Sequence, residues 1–209
     1  MRRVLLFRHA PVESPDGRSR CLGRGTDVPA APEGLAEAAR FSAVLAKNGV
    51  AAVYCSPMLR TRQTAAALAE KGKLPVEAVP ELVELDCGDW EGLTFEEIRE
   101  RWPEHYARRG LAPALPPPNG EDLTMAARRG IAALRALLER TEGDLAVVCH
   151  SGLNRAMLCA LTGRSMGEMR DLPQPYLCVN ILHFDGETLS VDAIGCPMKE
   201  VLLHHEETV

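Results

Sequence analysis

Apolar residues along this chain cluster in two ways. Short runs at Val4–Phe7, Val50–Tyr54, near Val76–Val79 and at Leu145–Val148 stop abruptly at polar or turn-forming residues. Runs of that length predict strands, buried on both faces where the apolar stretch is unbroken. Between them the apolar spacing is three and four. Leu35, Ala38, Ala39 and Leu45 predict a helix from Pro32 to about Lys47, which Asn48-Gly49 stops. Leu123, Ile131, Leu134, Leu137 and Leu138 predict a long one from Glu121 to Arg140. Ser56 and Pro57 read as the cap and first residue of a further helix, with Arg60 in its first turn, near a terminus suited to anions. Thr94-Phe95-Glu96-Glu97 has capping-box spacing for a helix through about Trp102. Cys178–Phe184, the Asp185-Gly186 turn and Leu189–Ile194 read as a hairpin.

Strand and helix thus alternate, which implies a three-layer α/β/α sandwich around a mostly parallel central sheet. No repeat or linker divides the chain, so residues 1–209 are expected to form one domain. Within it, about 94–121 reads as a mostly helical insertion closed by the Pro116-Pro117-Pro118-Asn119-Gly120 run. Three strand ends carry basic or titratable residues: Arg8-His9 before Pro11, Arg60 just past the second strand, and His150-Ser151-Gly152 after the run ending at Cys149. Carboxyl ends of parallel strands are where such sheets bind ligands. The long Pro/Gly/Arg-rich connection from Pro11 to Ala31 has the length of a functional loop.

Composition narrows the partner. A net charge of -5 gives no reason to expect nucleic acid or an anionic membrane. Seven cysteines, odd in number and without a C-x-x-C pair, point to free thiols in a reducing cytosol, not to disulfides or a zinc knuckle. The apolar run after Met1-Arg2-Arg3 is too short for a signal peptide, and no stretch reaches membrane-spanning length. A cytoplasmic location is therefore expected. Arginines outnumber lysines 20 to 4, so cationic work falls to the planar fork that suits phosphate and carboxylate. Oligomeric state has no signature in the sequence.

Arg8-His9-Ala10 resembles the Arg-His-Gly signature of the histidine phosphatase superfamily, the group that includes cofactor-dependent phosphoglycerate mutase. Ser56-Pro57-Met58-Leu59-Arg60-Thr61-Arg62-Gln63-Thr64-Ala65, Glu84-Leu85-Asp86-Cys87-Gly88-Asp89-Trp90-Glu91-Gly92 and Val148-Cys149-His150-Ser151-Gly152 resemble its other three motifs, in the same order. The resemblance implies a phosphoglycerate mutase-like fold and a phosphatase acting on a small phosphate ester. His9 would attack phosphorus and form a phosphohistidine, splitting one displacement into two. Arg8, Arg60 and His150 would neutralise the phosphate charge. Glu84 would give a proton to the leaving oxygen and then activate water. That role asks for a raised pKa, for which Leu82, Val83 and Leu85 offer desolvation. Neither a metal nor another cofactor is needed by the scheme. Glu91 is the alternative to Glu84, and Arg62 to Arg60.

The chain departs from the pattern at Ala10, Val12 and Pro15, where the family commonly has Gly, Thr and Asn. Arg24 and Ser151 are the candidates to replace the lost phosphate contacts. Pro11, Cys21-Leu22-Gly23-Arg24 and Asp27-Val28-Pro29 are similar to the α-ribazole phosphatase-like branch, which implies α-ribazole phosphate as a substrate. Three other readings compete. Phosphoglycerate mutase-type transfer is one, disfavoured because those enzymes are generally longer. Cys149-His150-Ser151-Gly152-Leu153-Asn154-Arg155 also satisfies the C-x-x-G-x-x-R span of cysteine-dependent phosphatases, with Trp102-Pro103-Glu104 resembling their acid loop. The third is a phosphate-binding module without turnover.

Overall fold

Alternating side chains on the central strands face two separate apolar layers, and this dictates the sandwich. In the computed structural model, which describes residues 1–14, 16–108 and 115–203, six strands form one sheet in the order β3-β2-β4-β1-β5-β6. They are β1 (Arg2–Arg8), β2 (Val50–Cys55), β3 (Val76–Ala78), β4 (Asp144–Cys149), β5 (Val179–Phe184) and β6 (Leu189–Cys196). Strands β3, β2, β4 and β1 pair in parallel; β5 runs antiparallel to both β1 and β6, giving the hairpin read from the sequence. Leu5 and Phe7 point to one side with Val53, Cys55, Ala146 and Val148, where α1 (Pro32–Arg40), α2 (Ser42–Lys47) and α3 (Leu59–Ala69) pack. Val4 and Leu6 point to the other side with Leu145 and Val147, against α6 (Leu123–Arg140) and α7 (Ser151–Thr162). Each face therefore has its own core.

Two expected helices begin or break differently, each because a distant partner outcompetes the local signal. The helix read from Pro32 to Lys47 is interrupted at Phe41, where φ is -94° and ψ is -2°. The following Ser42 is fully buried, and its hydroxyl accepts the Lys71 and Gly72 N–H groups at 2.7 and 3.4 Å beyond the end of α3. Ser56 is not a helix cap either: α3 begins at Leu59 after Met58, and the Ser56 hydroxyl faces His150. The long helix starts at Leu123, capped by Asp122, whose side chain accepts the Met125 N–H. The segment read as an insertion contains α4 (Phe95–Arg101), with its capping box at Thr94 and Glu97, and α5 (Pro103–Arg108). Its stretch 109–114 lies outside the described residues, as does Pro15. A short α8 (Met198–Leu203) follows β6. All seven cysteines are free thiols, and no described helix is long and apolar enough to cross a membrane.

Candidate active site

Sheet register brings the chemistry together. Arg8 lies opposite Cys149, and the His9 N–H donates to the Cys149 carbonyl at 3.0 Å. Cys55 lies opposite Val148, and the Ser56 N–H donates to the Val148 carbonyl at 3.1 Å. Three adjacent strands thus deliver His9, His150 and Ser56 to the same edge. The two imidazoles meet edge to face with centroids 5.3 Å apart.

Hydrogen bonds define the state of each ring. His9 Nδ1 lies 2.7 Å from the Ala10 carbonyl, which can only accept, so Nδ1 carries the hydrogen and Nε2 keeps its lone pair. Burial, reinforced by the Arg60 and Arg8 charges, lowers the His9 pKa to about 3. His9 is accordingly a neutral imidazole near neutral pH. His150 Nε2 lies 2.8 Å from Ser56 Oγ, and that oxygen also accepts the Met58 N–H at 3.3 Å. The network is completed when Ser56 donates its own hydrogen to His150, which leaves Nδ1 as the N–H donor. Burial, with His9 and the nearby arginines adding to it, holds the His150 pKa well below the usual value.

Both arginines flank this pair. Arg8 donates through Nη1 to the Gln174 carbonyl at 2.5 Å and stacks its guanidinium 3.6 Å from the Tyr176 ring centre. Arg60, only 1% exposed, donates to the Thr26 and Gly23 carbonyls at 2.8 and 3.2 Å, tying down the loop after β1. Burial lowers the pKa of both guanidiniums, with Glu84 among the charges opposing the shift. Among the described residues, Arg8 Nε, Arg60 Nε and His150 Nδ1 are buried without a hydrogen-bond partner.

Glu84 belongs to the same cluster. Its Oε1 accepts the Leu85 and Leu153 N–H groups at 2.9 and 2.8 Å, and Oε2 accepts the Gly152 N–H at 3.0 Å. The carboxylate sits on the N-terminus of α7, where unpaired N–H groups and the helix dipole favour an acidic group. The apolar surroundings expected from sequence are thus half of its environment; the backbone donors are the other half. Gly152 permits the approach, since a β-carbon there would stand 2.8 Å from Glu84 Oε1 and 2.7 Å from Leu85 Cδ1. Glu91 occupies a different place: it accepts the Gly23 and Gly25 N–H groups and the Thr26 hydroxyl, bracing the loop.

A cavity of about 380 Å³ opens beside these groups, lined by Arg8, His9, Glu84 and Ser151 among others. Arg60 and His150 are buried within the cluster. Arg24 is the sequence candidate that does not join: it is exposed, pairs with Asp86 at 2.6 Å and does not line the cavity. Arg62 is exposed as well. Ser151 lines the cavity and is hydrogen-bonded to Arg155, itself on α7. Cys149 is fully buried in the α6–α7 layer, its thiol pushed well up by burial and directed at the Leu82 carbonyl. A thiolate attacking into the cavity has no support in that placement, and Glu104 is absent from the lining.

Four contributors escape a reading of the sequence. Tyr176 stacks on Arg8 and its ring centre is 5.6 Å from that of His9. Gln174 bonds Asn154 and Asn180, anchoring the Tyr176 loop. Arg129 on α6 grips the Glu84 segment through the carbonyls of Glu81, Val83 and Glu84 while paired with Glu121. The fourth is Ser56, whose local context reads as a helix cap. Only Ser56 has a usable signal, its place inside a recognised motif.

A family model described as "Histidine phosphatase superfamily (branch 1)" matches residues 4–197. The chain belongs to the histidine phosphatase superfamily. Phosphoserine phosphatase 1 of Hydrogenobacter thermophilus is 29% identical over 188 residues, spanning 88% of both chains. A human 6-phosphofructo-2-kinase/fructose-2,6-bisphosphatase is 34% identical over 157 residues, 75% of this chain and 29% of that much longer protein. Mycobacterial relatives at 40% identity are matched over 36% of their length, so the chain spans only about a third of them. Among solved structures, Bacillus stearothermophilus YhfR superposes with a TM-score of 0.82 at 26% identity, covering 93% of this chain and 96% of that one. The α-ribazole phosphatase of Shigella flexneri gives 0.75 at 22% identity, covering 92% and 96%, a likeness of fold. Phosphatase chemistry is the class of activity the superfamily carries.

Proposed function

We propose that this protein is a metal-independent phosphomonoester hydrolase that works through a phosphohistidine on His9. Three buried donors without partners, Arg8 Nε, Arg60 Nε and His150 Nδ1, beside a neutral imidazole with a free Nε2, carry this reading. Buried donors are normally paired, and a phosphoryl group has the charge and oxygens to pair these. In the first step the Nε2 lone pair forms the N–P bond as the ester P–O bond breaks, and Glu84 protonates the departing alkoxide. Oε2, which accepts one N–H where Oε1 accepts two, is the oxygen with room for that proton. In the second, Glu84 takes a proton from water, which attacks phosphorus and returns His9 with release of inorganic phosphate. The substrate is a small phosphorylated metabolite, α-ribazole phosphate among the candidates. Acid-labile, base-stable phosphate trapped on a His9 peptide, with p-nitrophenyl phosphate turnover that survives EDTA, is the expected result. Turnover retained in His9→Ala rejects the mechanism; no turnover of p-nitrophenyl phosphate, α-ribazole phosphate, phosphoserine or phosphoglycerate favours a binding module.

A further inference from the structure

Beyond the phosphate end, the cavity wall changes character. Leu22, Leu85, Trp90, Phe95, Leu123 and Met169 line it, drawn from the loop after β1, the segment after Glu84, the start of α4, the start of α6 and the turn after α7. Leu22, Phe95 and Met169 are partly exposed, so apolar side-chain surface faces the open volume. Polar side chains past the phosphate end are committed or exposed: Arg155 lines the cavity but donates to the Leu172 carbonyl at 2.9 Å and to the Ser151 hydroxyl. Arg20 lines the cavity but is committed to Asp16 at 2.5 Å and to the Gly92 carbonyl at 3.1 Å. Ser19 and Arg170 also line it, and both are exposed. A sugar or amino-acid alcohol entering here would exchange water for hydrocarbon and leave hydroxyls or charges unpaired, a cost that packing against hydrocarbon does not offset. An apolar alcohol would instead cover surface that is otherwise wetted.

We infer that the leaving alcohol of the substrate is a largely apolar body, aromatic or branched-aliphatic, seated against Leu22, Phe95 and Met169. This rests on the phosphohistidine reading above and adds the substrate class to it. Recognition is then divided: the arginine and histidine donors hold the phosphoryl group, and the outer wall selects what it is attached to.

A panel of phosphomonoesters of primary alcohols tests this, because their leaving groups are similar and differences in rate report on the body. 2-Phenylethyl phosphate and 3-methylbutyl phosphate are compared by kcat/KM with glycerol phosphate, phosphoserine and ribose 5-phosphate. The apolar esters are expected to lead by about tenfold to a hundredfold, the discrimination an apolar pocket provides. Met169→Gln, nearly isosteric but polar, is expected to shrink that ratio by lowering kcat/KM on the apolar esters more than on glycerol phosphate; His9→Ala abolishes both. Polar esters that match or beat the apolar ones, with turnover still dependent on His9, overturn the substrate class alone. Turnover that survives His9→Ala, or none with any ester, overturns the mechanism and this inference with it. A Met169→Gln ratio equal to wild type also counts against it.

Discussion

At the inner end of the cavity, His9, His150 and Ser56 leave three hydrogen-bonded strands at one level, and Glu84 is pinned by three backbone N–H groups. At the outer end, Leu22 and Phe95 flank a short backbone bridge, in which the Cys21 N–H donates to the Leu93 carbonyl at 2.9 Å and the Gly92 N–H to the Cys21 carbonyl at 2.8 Å. Met169 comes from the turn after α7, and what the three present to the cavity is apolar side chain. The inner end owes its geometry to directional bonds whose loss strands a buried polar group. Apolar contact is tolerant, so the outer end can change residue by residue without disturbing the strands behind it. Substitutions should therefore separate: inner ones should strike kcat, outer ones the choice of ester.

The largest effect is expected at the acid. Glu84→Gln keeps an acceptor for the α7 N–H groups but cannot transfer a proton, so kcat should fall by about 10²–10⁴. Steady-state rates on an alkyl phosphate, whose leaving group needs protonation, measure it. A smaller loss on p-nitrophenyl phosphate is the accompanying signature; equal losses on both esters would remove Glu84 from the proton-donor role.

Gly152→Ala comes next. Alanine is the better helix former by about 1 kcal/mol, yet its β-carbon would press on Glu84 Oε1 and Leu85 Cδ1. Leu85 can turn aside, whereas the carboxylate is fixed on three sides, so the chemistry suffers more than the fold. A fall in kcat on the order of 10²-fold is expected, the usual cost of a misplacement near 1 Å, with a thermal midpoint close to that of the parent protein. Unchanged kcat would show that Glu84 has more freedom than its hydrogen bonds imply.

The same contrast explains what is legible in the sequence. Arg8-His9, Arg60 and His150 are readable because strand termini and contiguous motifs announce them within a few residues. Glu84 and Glu91 are harder to separate, seven positions apart in an acidic stretch; only three-dimensional placement gives one the α7 N-terminus and the other the loop amides. Arg24 suggests a phosphate contact by its proximity in the chain and turns instead to Asp86. Ser56 and Ser42 mislead for one reason: each looks like a local element of helix structure and each is buried against a distant segment. Tyr176 sits alone in a Pro-Gln-Pro-Tyr loop, and the outer wall joins Leu85, Trp90 and Phe95, from in and just after the third motif, to Leu22, Leu123 and Met169 from three distant segments that no period or motif links to it.

A third expectation concerns pH. In the unfolded chain His9 returns to its ordinary value near 6.5, while folded it stays neutral down to about 3. Between those values the unfolded state binds a proton that the folded state refuses, so stability is intact above about pH 6.5 and declines as pH falls toward 3. His150 shifts in the same direction and adds to the decline. Each histidine contributes a slope of at most about 1.4 kcal/mol per pH unit. Urea unfolding at pH 7, 6 and 5 should show the fall, and His9→Gln should flatten it. A Met169→Gln protein should keep the parent slope, because the outer wall contributes no such buried base.

The smallest effect sharpens the division most. Phe95 stands at the first helical position of α4, partly exposed, and packs on the Cys87, Trp90 and Ile98 cluster while lining the cavity. Truncating it to alanine suits the helix and should cost less than the about 3–5 kcal/mol of a fully buried phenylalanine. That cluster is separate from the strand ends and the start of α3 that carry the three unpartnered donors. Inorganic phosphate, which has no alcohol body, should then inhibit Phe95→Ala within about twofold of the parent protein, as expected for sites that share no partners. Its Ki measures the inner end alone, and kcat/KM on an apolar ester measures both. A large rise in Ki would mean that the outer wall props up the phosphate end, and that one cavity, not two independently built halves, is the unit on which substitutions act.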